Sequence, residues 1–376
     1  MRKIVALFVV IAMGVLFFLA HFDRSQPSEA HTRMEYNTGR IVSIVEDLTF
    51  FVDDGDPFFY GDVAGTRMGT IRFEVEMLRG AFAGRFLEAN YHMSSPAHVD
   101  FTVGDRVSVR IFEFEGAIQG VEIRHPERSG GVILVVGLFL LFLCLIGGKR
   151  GVLGVVGLIF SVASIWFILI PLVARGFPVI LMTLIIITLI TVATLTLLGG
   201  TSRKTVAAIL GTLSGMVLAT GLALMAGHLL HLNGYHMSHI PQISHLAAGA
   251  DVRGLFIASV LIASIGAVMD TSISVASGME EIKNHHRDIQ TYELFKSGFN
   301  IGRDLMATMS NTLILAFVGG SLSLLLFMYV TDTSFNQFIN NDFIAMEIIK
   351  GVVGSIGIIL TVPLTTFIAA QLLSRD

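Results

Sequence analysis

The chain has almost no cysteine. Cys144 is the sole one and lies inside an apolar run, which excludes an internal disulfide and a cysteine-based metal cluster and leaves it as a packing residue. Charge is scarce as well: 14% of residues are Asp, Glu, Lys or Arg, against about a quarter in soluble domains. With a mean hydropathy of +0.74, that scarcity excludes an ordinary soluble globule. It leaves room for one modest soluble domain in a helical membrane protein. A net charge of −4 is near neutral for 376 residues, so no nucleic-acid partner is expected. A glycine-rich phosphate loop, a Ser-His-Asp order and a zinc-protease motif are also missing. The expectation is a protein that is not an enzyme and needs no cofactor.

What is present is apolar sequence in long runs. Met1-Arg2-Lys3 precedes an apolar run from Ile4 to Ala20. Phe18 and Ala20 make a poor cleavage site, and Ser28 and Ala30 make a better one far from the run. Residues 1–31 are therefore read as a membrane anchor or signal segment, with the uncleaved anchor preferred. Further runs occupy 131–147, 151–173, 177–198, 205–230, 254–278, 305–330 and 346–372, each suited to crossing a bilayer. Residues 129–376 are thus expected to form a seven-helix transmembrane domain. If all eight runs span, Arg2, Lys3, Lys149, Arg150, Arg203, Lys204 and the cations of 279–303 fall on one side. Cationic loops face the cytoplasm, so both termini and the 279–303 segment are expected there. Met279, Ile282, Ile289 and Leu294 give that segment a partly apolar face suited to an interfacial helix.

Residues 32–128 read differently. Tyr36 to Val45, Thr70 to Met77, Arg85 to Tyr91, Arg106 to Phe112 and Ala117 to Arg124 group β-formers between turn residues. Val103-Gly104-Asp105 is a turn feeding an alternating strand. Five short strands in a stretch of this size predict a small barrel or sandwich, OB-like or similar. The cationic-loop argument puts this domain outside the cell. The expected fold class is mainly α: a polytopic helical bundle with a small N-terminal extracytoplasmic β domain.

The sharpest chemistry lies between Asp270 and Asn311. Asp270, Ser274, Ser277 and Glu281 follow spacings of four, three and four, so they share one helix face, with Thr271 beside them. Asp304, Thr308 and Asn311 share a face on the next run, with Thr312 adjoining and Arg303 at its foot. A carboxylate in hydrocarbon is costly unless it meets a partner or water, so it marks a candidate functional site. Equal depth on antiparallel helices would bring Asp270 to Asn311, Ser274 to Thr308, Ser277 to Asp304 and Glu281 near Arg303. Carboxylate, hydroxyl and amide oxygens are hard ligands suited to a proton or Na⁺. The bland alternative is a polar network that locks two helices together.

Two other patterns carry less. His228, His231, His236, His239 and His245 crowd one loop region in pairs three apart. Histidines at that spacing can share a metal on a helix, but no single spacing is diagnostic and no metal site is assigned to them. Gly211-Thr-Leu-Ser-Gly215 places small residues one turn apart and predicts close helix packing.

The block Gly266-Ala-Val-Met-Asp270-Thr-Ser-Ile-Ser274-Val-Ala-Ser277, then Glu281, then Asn300-Ile-Gly302-Arg303-Asp304-Leu-Met306-Ala-Thr308-Met-Ser-Asn311-Thr312, resembles the YibE/F-like bacterial membrane proteins. Glu76-Met-Leu-Arg-Gly80-Ala-Phe-Ala-Gly84 and Val103-Gly-Asp105 fit the same family. The resemblance implies an N-terminal anchor, an extracytoplasmic domain and a helical bundle in the cell membrane. It implies no substrate and no metal role for the histidines.

The expected function is a transporter or channel for a small solute or ion. Asp270, Thr271, Ser274, Ser277, Thr308, Asn311 and Thr312 would line the pathway, and Glu281, Arg303 and Asp304 would form a gate or cytoplasmic entrance. The alternative is a non-transporting envelope factor whose β domain binds a partner and whose helices form an oligomeric anchor. The expected partners are the lipid bilayer, the transported solute or ion, and further copies of the chain.

Overall fold

The computed structural model describes residues 13–17, 32–52, 66–93, 98–114, 117–235 and 251–374. The chain divides into two compact units, Arg24–Phe142 and Met1–Asp23 with Leu143–Asp376.

The first unit is built on five strands: β1 (Thr32–Phe51), β2 (Arg67–Met77), β3 (Phe86–Met93), β4 (Arg106–Phe114) and β5 (Ala117–Pro126). They close into a barrel in the order β1-β2-β3-β5-β4, the OB-like alternative rather than the sandwich. Strand alternation drives closure. Phe73, Val75 and Met77 on β2 and Val107, Val109 and Ile111 on β4 point inward and are almost fully buried. β1 runs well past the expected Tyr36 to Val45. Its first half pairs with β4 and its second half with β2, and bulges between Ile41/Ser43 and Ile44/Glu46 bend it from one neighbour to the other. Glu46 and Asp47 resemble a strand end in sequence. Here they stay in the ladder because their side chains pair outward with Arg72 and Arg67. At the crossing point a Cβ on Gly39 would strike Val75, so the bend needs glycine.

The helix α1 (Ser129–Ser164) starts in the first unit, continues into the second and is broken at Gly148, whose φ of 53° is open to glycine. The runs expected at 131–147 and 151–173 are its two arms, the latter continuing through a π-helical turn (Ile165–Leu169) into α2 (Ile170–Ala174). Then come α3 (Val179–Gly199), α4 (Arg203–Leu229), α5 (Val252–His285) and α6 (Thr291–Gly320). α7 (Leu322–Val330), α8 (Phe335–Ile339) and α9 (Asp342–Leu373) complete the chain. Ser202 caps α4, Asp251 caps α5 and Asn341 caps α9 through side-chain oxygens. Among the described residues five helices are long and apolar enough to cross a membrane, or six if α6 and α7 count as one bent span.

Two expectations change in detail. The 279–303 segment is not a separate interfacial helix: α5 runs on to His285 and α6 starts at Thr291. Met279 and Leu294 are fully buried with Ala276 and Ala370, so apolar packing carries both helices on. The run at 305–330 is interrupted, because Gly319-Gly320-Ser321 ends α6 and the chain turns by 59° into α7.

α9 is a central post that packs on α4, α5 and α6, and α5 also touches α3 and α4. Gly211, Gly215 and Ala219 on α4 meet Thr365, Thr361 and Gly357 on α9, one turn after another. A Cβ on either glycine would overlap a threonine hydroxyl, so the expected packing signal is realised. The bundle interior is rich in hydroxyls: Thr212, Thr361, Thr365 and Thr366 are fully buried, and so is Ser272.

Candidate functional site

α5 and α6 lie antiparallel with contact near their polar ends. A Cβ on Gly278 would touch Ile301, and one on Gly298 would fall on Met279. Extending that register along both helices places Asp270 level with residue 309, about 3 Å in depth from Asn311. Asp270, Ser274 and the stretch from Arg303 to Asn311 therefore occupy matching heights on neighbouring helices.

The orientation of these residues is the main finding. Asp270, Ser274 and Glu281 on α5 are exposed, and Ser277 is half-buried. Arg303, Asp304, Thr308, Asn311 and Thr312 on α6 are exposed as well. The stripe is real as a shared face, but it lies on the outside of the single chain. Thr271 is the exception: it is buried and donates to the Ala267 carbonyl at 2.8 Å.

Local bonding satisfies part of the set. The Thr308 hydroxyl donates to the Leu305 carbonyl at 3.0 Å, and that of Thr312 to the Thr308 carbonyl at 2.9 Å. Such bonds to the preceding turn are how hydroxyls survive on apolar helices. Asp270 and Asn311 make no side-chain hydrogen bond among the described residues. Glu281 bonds His285 at 3.2 Å, one turn along its own helix. Arg303 makes no ion pair among the described residues.

Sequence reasoning missed two features. One is the ion pair of Lys204 with Glu280 at 2.5 Å, which ties the start of α4 to α5. Both residues fall at the same end of their runs, and that equal depth was the available signal. The other is the buried hydroxyl seam, where Thr365 donates to Ser272 at 3.3 Å between α9 and α5. The four-residue spacing of Thr361 and Thr365 against that of Gly211 and Gly215 was its trace in the sequence.

Of the histidines, His228 ends α4 and His231 follows in a left-handed conformation with φ of 53°. His236, His239 and His245 lie outside the described residues. Among the described residues no three His, Cys, Asp or Glu side chains are grouped to hold a metal. A separate cleft of 370 Å³ opens between α6, α7, α8 and α9. Its walls are Ile314, Phe317, Leu325 and Ile348, and its one charged side chain, Glu347, is held by Lys350 at 2.6 Å.

A closed five-stranded barrel followed by apolar helices of membrane-spanning length, with a polar stripe shared by α5 and α6, defines a class of mainly helical proteins with a small β domain. The family model described as YibE/F-like protein matches residues 135–375. The chain belongs to that family. No curated protein and no solved structure matches it.

Proposed function

We propose that the protein is embedded in the cell membrane and moves a small solute or ion along the α5/α6 stripe. The observation that carries this reading is the alignment of Asp270, Ser274, Thr308 and Asn311 at matching heights on two adjacent apolar helices. Side chains of that kind are expensive in hydrocarbon, and a pathway gives them water or a permeant ion for company. Asp270 is the central titratable group. Asn311, Thr308, Thr312, Ser274 and Ser277 supply neutral oxygens around it, while Thr271 turns into the bundle. Glu281, Arg303 and Asp304 form the entrance at the end where α5 and α6 join.

The burial pattern supports a membrane setting. Small residues and hydroxyls fill the bundle interior while Ile133, Leu145, Ile159 and Leu326 stand exposed, as lipid requires and water disfavours. The cationic residues at 149–150, 203–204 and 283–303 mark one face as cytoplasmic. On that rule both termini lie inside and the barrel lies outside.

The test is flux through liposomes carrying the purified full chain, against a panel of protons, Na⁺, divalent cations and small organic ions. Asp270→Asn is the control. A protein that passes none of the panel, and that gains nothing from a pH or voltage gradient, is not a transporter of this kind.

A second reading rests on a different observation. Tyr36, Leu48, Phe50 and Phe51 on β1, with Phe86 on β3, are exposed apolar residues on a barrel that fills its own core. The exposed apolar residues gathered near the end of β1, Leu48, Phe50 and Phe51, suit a protein partner, and then the barrel would be the working part and the helices its anchor.

A further inference from the structure

The stripe is on the outside of one chain, and what covers it can be worked out from the rest of the sequence. On α5 the exposed line runs through Ala263, Gly266, Asp270 and Ser274. On α6 it runs through Asp304, Ala307, Thr308 and Asn311. A face of this composition cannot be left against lipid, because lipid offers no hydrogen bond to a carboxylate or an amide.

Two further apolar runs in the sequence are candidates to cover it. Neither can satisfy it. The run from Ile4 to Ala20 has no polar side chain at all, and the run at 131–147 has none but Cys144. The described part of the first run is also engaged elsewhere, since Met13 and Leu16 pack with Ile168, Leu172 and Ile186. A cover for the stripe must bring its own donors and acceptors.

The stripe has both, at nearby heights. Asp270 offers only acceptors in its charged form, and Asn311, about 3 Å away in depth, offers two amide donors. In the same register Ser274 falls near residue 305 and Thr308 falls level with Asp270. A surface in which acceptor and donor lie side by side within about 3 Å of depth is complementary to itself under a two-fold axis along the membrane normal. Two copies inserted in the same direction then set each Asp270 beside the other copy's donors. The small residues fit the same purpose. A Cβ at Gly266 would meet nothing within 4 Å among the described residues, so no contact with them calls for glycine there. An approaching helix does.

We propose that the α5/α6 face is the contact between two copies of this chain, and that the polar pathway is completed only in the pair. This rests on the pathway reading above and adds that neither chain holds a whole pathway by itself. The pair would contain two Asp270 carboxylates in one lined space. That favours a cation or proton over an anion as the permeant species, because only a cation or a proton neutralises both.

The experiment uses the full chain in native membranes, with Cys144→Ala as background. Ser274→Cys and Thr308→Cys each introduce one thiol on the stripe, and Leu210→Cys introduces one at a comparable depth on the exposed side of α4. Oxidation should join two copies through the first two positions and not through the third. Equal cross-linking at all three, or none on the stripe, overturns the proposal. Particle-mass measurement on the unmodified protein in nanodiscs provides a check that needs no substitution: two or more chains per particle are expected, and single chains refute it. Co-reconstitution of wild type with an equal amount of Asp270→Asn reads the shared pathway. If both carboxylates are needed, flux falls to about a quarter of the wild-type value, as random pairing in a symmetric dimer requires; a fall only to half means each chain conducts alone. Loss of flux on Asp270→Asn in a protein shown to be single-chain would retain the pathway and reject the shared interface, so the two claims fail separately.

Discussion

The barrel and the bundle obey opposite burial rules. In the barrel the apolar side chains point in, and charged ones such as Glu46, Asp47, Arg67 and Arg72 pair on the outside. In the bundle Thr212, Thr361, Thr365 and Ser272 are buried, while Leu, Ile and Val cover much of the surface. One chain thus follows two conventions, and the change comes at the start of α1. The simplest physical cause is a change of solvent. Hydrophobic burial folds the barrel. Close packing of small residues, with hydroxyls bonded to the preceding turn, holds the bundle, as suits the membrane setting proposed for it. The α5/α6 stripe breaks the bundle's convention, since it puts charge where the rest of that surface is apolar. That exception is what makes it a candidate site.

The largest expected effect separates the two units. Phe73 is fully buried in the barrel, and Phe73→Ala should cost about 3–5 kcal/mol. Chemical denaturation of a fragment spanning 32–128 should lose its cooperative transition, while the full chain keeps its helical circular dichroism. Loss of both signals would show that the units fold as one.

Next in size is a contrast within one helix. Gly215→Leu forces a side chain into Thr361 and should destabilise the bundle by about 1–3 kcal/mol or more. Gly221 lies on the same helix, and a Cβ there would meet nothing within 4 Å. Gly221→Leu should be nearly silent in thermal unfolding in detergent. Equal effects would mean that α4 does not dock on α9 through its glycines.

A smaller effect concerns acid. The Thr49 hydroxyl, with help from Arg67, holds the Asp47 carboxyl below the usual carboxylate range. Its contribution is present above the unfolded value of about 4 and fades as pH falls through the lower folded value. Asp47→Asn should therefore flatten the acid limb of the barrel's stability profile and leave the slope near neutral pH unchanged. A change in slope above pH 6 would assign the acid sensitivity to other groups.

The sequence makes the barrel legible because strand alternation repeats every two residues and leaves a strong trace in Phe73-Glu-Val75-Glu-Met77. It hides the length of β1, because Glu46-Asp47 looks like a turn until Arg67 and Arg72 are seen opposite. The helices are legible from apolar length alone, but their ends are not, since polar extensions such as Met279 to His285 are helical only through tertiary packing. The stripe is legible as a shared face because helical spacing fixes which residues line up. Which way that face points is not, since the direction depends on where α9 packs. Spacing alone gives no sign that Asp270 faces away from its own chain's core.

The central claim is that Asp270 works within a polar path and does more than hold helices together. Flux in liposomes, measured across a pH series for wild type, Asp270→Asn and Asp304→Asn, tests it most directly. The amide keeps the shape and hydrogen bonding of Asp270 but removes the charge. The account predicts that Asp270→Asn folds normally and loses flux by about tenfold or more, the scale of one lost charged interaction, or loses its pH dependence. Asp304→Asn, near the entrance, should have a smaller effect. A silent Asp270→Asn alongside an inactive Asp304→Asn would contradict the placement of the site.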